Sequence, residues 1–465
     1  MWKKAQLFGD CPFYRRVVKI TLPIVIQGGI TNLVTLLDNV MVGQLGTARM
    51  SGVAIANQLL NIPFFGILGA LSGIGIFTAQ FFGKDDPKGL KYTFRCKVFT
   101  GILSLLFFMT VLFVFGDELI GLYIRFAGSE GSEAVALESA LQYLILGTIS
   151  LAPYVIGQVY ATTLREINRT VSPMVASLAA VILNLILNYL FIFGKMGLPA
   201  MGVRGAGYAT VISRVVEMLI MILWAAVRIP VPFRGFLRCG RMQPGFLKRV
   251  LARSAPLVLN EVLYCLSSAV IVWTISTRGL DAVAACNIAT NVTQFFNVVL
   301  YSLGASLGIL AGNLLGAGLF EEAKLTASRM IALAIAVCIF FGIVLIPVSI
   351  GFPRLFNTSD EVRKMAGQMI RVIAYMLPIR AFTHQAYYTL RAGGRTYLNL
   401  LFDGMYLTFV SAPICLALAV YTGIDPVALF AVSLASELSK AFLAAIWIKK
   451  GIWVRNVVSS DEANA

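Results

Sequence analysis

Twelve apolar stretches divide this chain, at roughly 17–43, 52–77, 92–115, 136–164, 172–193, 204–228, 250–276, 284–311, 324–350, 364–391, 397–421 and 427–449. Each is close to the about 20 helical residues needed to cross a hydrocarbon core of roughly 30 Å. Only 13% of the 465 residues are charged while 58% are hydrophobic. A soluble domain carries roughly 25% charge, so a water-soluble globule is excluded. Transmembrane strands would read as segments of about ten residues alternating in polarity, which is not the pattern here. The expected fold class is all-α integral membrane, with twelve transmembrane helices.

The stretches fall into two sets of six. Pro23 opens a run ending at Gly46, and 233 residues later Pro256 opens a run ending at Gly279. Gly83 and Lys91 return at the same offset as Gly316 and Lys324. Thr163-Leu164-Arg165 with Arg169-Thr170 returns at an offset of 226 as Thr389-Leu390-Arg391 with Arg395-Thr396. Six is even, so both sets enter the membrane from the same side. The result is two six-helix lobes related by a parallel repeat about the membrane normal. The expected organisation is an N-lobe over 1–228, a basic cytoplasmic linker over 229–249 with Pro230, Pro232 and Pro244, and a C-lobe over 250–465 ending in a short cytoplasmic tail.

A net charge of +16 would suggest nucleic acid in a soluble protein. Here most of the Lys and Arg lie in the N-terminus, the even-numbered loops and the C-terminus or in the span ends that flank them, while Asp117, Glu118, Glu130, Glu133 and Glu138 follow the third span. The positive-inside rule then places both termini in the cytoplasm of a multi-pass protein of the cell (inner) membrane, with the bilayer as its surroundings and no nucleic-acid partner. Lys3, Lys4, Arg15, Arg16 and Lys19 precede an apolar run far longer than a signal core, so the first span is expected to be retained. Seven cysteines, Cys239 among them, are scattered with no C-x-x-C pair, and indicate neither a disulfide framework nor a zinc site. A monomer is expected.

Polar residues inside the spans carry the functional signal, because an ionisable group at the bilayer centre costs about 2.5–3.5 kcal/mol on insertion scales. Gln27, Thr31, Thr35 and Asp38 fall on one face of the first helix, and Asn184 and Asn188 are i, i+4 neighbours in the fifth. In the second copy Ile271 stands at the position of Asp38. A carboxylate with two amide carbonyls offers oxygen ligands to a hard cation, or a site for a proton; the bland alternative is that these groups hydrogen-bond helices together. Asn57 and Asn61 in span 2, with Asn287, Asn291 and Gln294 in span 8, recur at helical spacing and are candidates to line a cavity or to join helices. Pro23 is a candidate hinge or a static kink. No other metal site is indicated beyond a Na+ at Asp38, and no cofactor.

On these residues the chain resembles the multidrug and toxic compound extrusion (MATE) family. The carriers are Pro23, the LDNVMVGQLG stretch with Asp38, the Asn184/Asn188 pair in LNLILNYLFIFG, the TLREINRT and TLRAGGRT segments, and the two-lobed layout. The resemblance implies export of cationic or amphipathic organic compounds in exchange for inward sodium or protons, with Asp38, Asn184 and Asn188 in an N-lobe cation site. Three positions depart from the family, one in the first lobe and two in the second. Asn188 stands where many proton-coupled members carry Asp. In the second lobe, Tyr264 and Arg380 stand where a sodium-coupled branch has Glu and Asp. Glu261, one turn before Tyr264, and Arg380 are expected to form an ion pair or network with His384; the alternative is that Arg380 pairs with Asp403 or lines a watery cavity alone. His384 is the only histidine, a candidate proton sensor or an interior side chain with satisfied hydrogen bonds.

The expected function is therefore a Na+- or H+-coupled antiporter exporting small organic substrates by alternating access between the lobes. No P-loop is present to couple ATP within this chain. Flipping of a lipid-linked precursor is the alternative. A membrane-embedded enzyme is more remote, because one histidine and scattered carboxylates supply no convergent acids, nucleophile with base, or metal ligands. The chain is read as no enzyme.

Overall fold

The computed structural model describes residues 8–127, 133–236, 244–356 and 358–459. Glu130, Cys239, residues 1–7, residues 237–243 of the expected linker and residues 460–465 of the expected tail lie outside the described residues. Among the described residues there are twelve long helices: α1 (Cys11–Gly43), α2 (Thr47–Gly83), α3 (Pro87–Ala127), α4 (Glu133–Glu166), α5 (Val171–Phe193), α6 (Val203–Arg228), α7 (Pro244–Ser276), α8 (Leu280–Gly316), α9 (Phe320–Gly351), α10 (Asp360–Ala392), α11 (Thr396–Tyr421) and α12 (Pro426–Lys450). Eleven are long and apolar enough to cross a membrane. The exception is α10, which carries Asp360, Glu361, Arg363, Lys364, Arg371, Arg380 and Arg391.

The connections show how local chemistry repeats. Gly46 and Gly279, 233 residues apart, close the α1–α2 and α7–α8 turns at φ of 107° and 99°, where a side chain would be strained. Asp85 and Gly318 (φ 56° and 77°) end α2 and α8, and Asn168 and Gly394 (φ 60° and 72°) end α4 and α10. The accompanying hydrogen bonds match pair for pair: Arg169 N–H to the Leu164 carbonyl at 2.8 Å, and Arg395 N–H to the Leu390 carbonyl at 3.0 Å. Asn can adopt the left-handed conformation that Gly takes freely, so the two sequences make one turn. Among the described residues the N-termini of four helices are capped by side chains: Asp10 accepts from the Phe13 amide, Asp86 from Lys88 and Gly89, Ser359 from Val362, and Asp425 from Val427 and Ala428.

The chain separates into two compact units. One contains Ile26–Thr78 and Asp86–Leu247. Within it α6 packs against α4 and α5, and α3 against α4. Large apolar side chains of α3, including Leu103 and Phe107, are exposed, as expected of a helix whose surroundings are lipid. Lys97 of α3 is fully buried, with Nζ 2.5 Å from Glu166 Oε2 and in contact with the Thr162 and Thr163 hydroxyls of α4. After α6, a short turn at Pro230–Phe233 begins the basic segment. Phe233 stacks on Tyr160 with ring centroids 5.1 Å apart, and Phe94 meets Phe233 and Phe236 edge-on. The start of the expected linker is thus pinned by aromatic packing.

The other unit contains Met1–Val25, Ala79–Asp85 and Lys248–Ala465. At its centre α10 packs against α8, α9 and α12, and fifteen of its residues are buried. None of its charged residues is among those fifteen: Asp360, Glu361, Lys364 and Arg371 are exposed, and Arg363, Arg380 and Arg391 are half-buried. Two stretches from the first half of the sequence join this unit. Thr21 of α1 donates its hydroxyl to Ser306 at 2.8 Å. The Gln80 amide of α2 donates to the carbonyls of Ala392 and Arg455, while its oxygen accepts the Val457 amide at 2.7 Å. Gly83 and Gly316 make reciprocal close approaches: a Cβ on Gly83 would overlap the Asn313 carbonyl, and one on Gly316 the Gln80 carbonyl. These pairs obey the 233-residue offset, so this contact is itself two-fold in character. The segment after α12 is held here too, with Trp453 fully buried and Lys84 Nζ 3.2 Å from the Val458 carbonyl. Residues 1–25 and 79–85, which the sequence assigns to the N-lobe, thus group with Lys248–Ala465.

Candidate functional site

On α5 the positions Ala176, Ala180, Asn184, Asn188 and Ile192 recur every four residues and are buried together. Two asparagines in that stripe bring amides to where small apolar side chains would otherwise pack. Asn188 Nδ2 donates to Asp38 Oδ1 of α1 at 2.6 Å and to Asn184 Oδ1 at 3.1 Å. Asn184 in turn donates to the Ser213 hydroxyl of α6 at 3.3 Å, and Ser213 to the Thr210 carbonyl. Both donors of Asn188 are therefore committed, yet its own Oδ1 is buried with no protein partner. Unpaired, a buried carbonyl of this kind costs about 1–3 kcal/mol. A carboxylate and an amide oxygen are the donor types that a hard cation takes.

The expected trio Asp38, Asn184 and Asn188 is brought together in one unit. The rest of the α1 stripe is not part of it. The Thr31 and Thr35 hydroxyls bond back to the carbonyls of Gln27 and Thr31, and Gln27 Oε1 accepts from Arg165 of α4 at 3.4 Å. Arg214 of α6 acts electrostatically on Asp38, but it is ion-paired at 2.8 Å to Glu217 on its own helix and lies over the Tyr154 ring. Ser213, Arg214 and Glu217 were not read from the sequence as site residues; an Arg and a Glu three apart inside an apolar span were the available signal. Asn57 is half-buried, whereas Asn61, Asn287, Asn291 and Gln294 are exposed. Pro23 is buried in α1, and the division between the two compact units crosses that helix between Val25 and Ile26.

A second polar centre lies within the other unit, around a cavity of about 130 Å³. Glu261 and Tyr264 of α7, Tyr301 of α8, Arg380, Thr383, His384 and Arg391 of α10, Asp403 of α11, and Glu437 and Lys440 of α12 line it. Glu261, Tyr264, Arg380 and His384, expected to share a network, do share this cavity. The ion pairing differs from the expectation. Among the described residues no ion pair joins Glu261 to Arg380, nor Arg380 to Asp403. Asp403 Oδ1 lies 3.0 Å from Lys440 Nζ, which is also 3.4 Å from Glu437 Oε1. An ammonium on the neighbouring helix meets Asp403 first. His384 packs against Tyr301 with ring centroids 4.6 Å apart, and its Nε2 has no protein partner. Asp403 sits in a wide π-helical turn spanning Leu401–Met405, and a second follows at Leu407–Ser411. Such turns recur at functional sites. Asn260 of α7 steadies this one, accepting from the Gly404 amide at 2.8 Å and donating to Asp403 Oδ2 at 3.3 Å.

Two repeated sets of six long helices, eleven of the twelve apolar enough to cross a membrane and both sets holding buried polar groups, mark a multi-pass membrane protein. The MatE family model matches residues 23–190 and again 256–422, and the chain belongs to that family. The two matches start 233 residues apart, the offset read from Pro23 and Pro256. Curated relatives include the probable multidrug resistance protein NorM of Thermotoga maritima, 23% identical with 96% of this chain and 95% of the relative covered. NorM of Bacillus licheniformis is 27% identical over 71% of this chain and 72% of its own length. The multidrug resistance protein MdtK of Pectobacterium atrosepticum is 25% identical over 77% and 78%. Among solved structures, MATE in the straight conformation matches with a TM-score of 0.81 at 20% identity, covering 97% of this chain and 99% of that one. An outward-facing multidrug resistance MATE transporter matches at 0.79 and 18% identity, covering 97% and 98%. The family is one of transporters, and the membrane-embedded enzyme is set aside.

Proposed function

We propose that the protein exports cationic or amphipathic organic compounds in exchange for an inward-moving cation, sodium or a proton, which binds at Asp38. The observation that carries the reading is the buried Asn188 Oδ1, unpartnered beside the Asp38 carboxylate. Asp38 would supply the charge, Asn188 an oxygen, and Asn184 with Ser213 would hold Asn188 in its rotamer. Pro23 lacks the N–H that would close a helical bond to the Lys19 carbonyl, so α1 can bend there at less cost; as hinge it would link occupancy of Asp38 to reorientation. Relatives named for multidrug resistance support an organic cargo. The placement of Lys and Arg supports cytoplasmic termini, and the working unit is taken as a monomer.

Efflux of a fluorescent cationic dye from everted vesicles, with sodium and pH gradients imposed separately, tests the assignment. Dye movement should follow one gradient. Equal movement with neither gradient would refute ion coupling and favour a facilitator or a lipid-precursor flippase.

A further inference from the structure

Lys440 is 2% exposed, and its ammonium has the surroundings of a bound cation. Asp403 Oδ1 and Glu437 Oε1 lie on two sides, and the Tyr406 ring presents its face with the nitrogen 5.8 Å from the centroid. The two acids are themselves positioned: the Thr383 hydroxyl donates to Glu437 Oε2 at 2.7 Å, and the Asn260 amide donates to Asp403 Oδ2. Oxygens from α11 and α12, held by α7 and α10, thus converge on one point beside a cavity of about 130 Å³. Oxygens converging in this way suit a hard cation, while an ammonium is a compact point charge with three donors.

The first half handles the same elements differently. At the offset of 226, Arg214 of α6 corresponds to Lys440. Arg214 spends its charge on Glu217 of its own helix and leaves Asp38 with an amide. Lys440 instead reaches across to α11. The half whose α7 carries Ile271 in place of Asp38 therefore holds a carboxylate cluster with its cation already attached.

We propose that Lys440 is a built-in cation filling a second cation site, formed by Asp403 and Glu437, so that the C-terminal half exchanges no ion and a single coupling cation is handled per cycle. The count of one rests on the assignment of Asp38; the filled site does not. Removing the side chain leaves two carboxylates around a space that a small cation can enter. Keeping its length without its charge, as in Lys440→Met, leaves those carboxylates uncompensated and blocked.

The test is thermal unfolding of purified protein in the Asp38→Asn background, which removes the other proposed site from the readout. In Lys440→Ala, methylammonium and sodium should each raise the melting temperature saturably, and added Asp403→Asn should abolish the rise. Asp38→Asn alone and Lys440→Arg should show no such rise, and Lys440→Met should melt lower with no rescue. The proposal is overturned if a folded Lys440→Ala protein shows no cation-dependent stabilisation, if Asp403→Asn leaves that stabilisation intact, or if Lys440→Met melts with the parent. Should Lys440→Ala fail to fold without additive, recovery in methylammonium supports the site, and failure with it while Lys440→Met folds normally overturns it. Loss of coupling at Asp38 would appear in transport and leave these results unchanged.

Discussion

Asn188 gives both amide hydrogens away, one to Asp38 at 2.6 Å and one to Asn184 at 3.1 Å, and keeps a buried carbonyl oxygen facing no protein donor. In the proposed cation site that oxygen is the ligand atom, whereas a group that only joins helices would have its oxygen satisfied too. Asn188→Ala removes the oxygen and the bond to Asp38 together. It is expected to weaken cation activation of transport by about 1–3 kcal/mol, roughly 5- to 150-fold in apparent affinity. Asn184→Ala should have a smaller effect, because it only positions Asn188. Initial efflux rates measured against coupling-ion concentration check both.

The reciprocal contact of Gly83 and Gly316 makes a prediction about stability. A methyl at either position meets a carbonyl of the facing helix, and such overpacking costs about 1–3 kcal/mol. Gly83→Ala and Gly316→Ala should lower the melting temperature of detergent-purified protein alike. Gly308→Ala, in the same helix, would meet Tyr388 only at an ordinary 3.5 Å. Gaining up to about 1 kcal/mol of helix propensity, it should be neutral or stabilising.

Lys97 and Glu166 form a buried ion pair whose single and double variants should diverge. Lys97→Met leaves the Glu166 carboxylate without its ammonium partner and is expected to cost about 3–5 kcal/mol. Adding Glu166→Gln should restore much of that loss. Thermal unfolding of the three proteins is the check, and an equally damaged double variant would show that the pair matters for something other than charge compensation.

The repeat was legible because its markers are backbone requirements. Gly46 and Gly279 occupy conformations strained for other residues, and Asn168 answers Gly394 because both tolerate positive φ. Asp38 with Asn184 and Asn188 was legible because polar groups at helical spacing stand out in apolar runs. The partner of Lys440 was not. Within α12 the spacing of Glu437 and Lys440 suggests a pair on one helix, but the closer carboxylate, Asp403, arrives from α11 in a turn that has widened out of α-helical register. Charge alone likewise suggests a carboxylate partner for Arg380, but distance decides, and Asp403 meets Lys440. Nor did the sequence show that Thr21 and Gln80, from the first half, bond to residues of the second; hydrophobic spans set where helices are, and side-chain geometry sets what they join.

Exchange in reverse tests the coupling at Asp38 most directly. In sealed proteoliposomes with equal sodium and equal pH on both sides, an imposed gradient of the dye alone should drive the coupling cation across the membrane in the opposite direction, and Asp38→Asn should show none of that counterflow. Dye running down its gradient in wild type with no opposing movement of sodium or protons, or counterflow that survives in Asp38→Asn, would contradict the account.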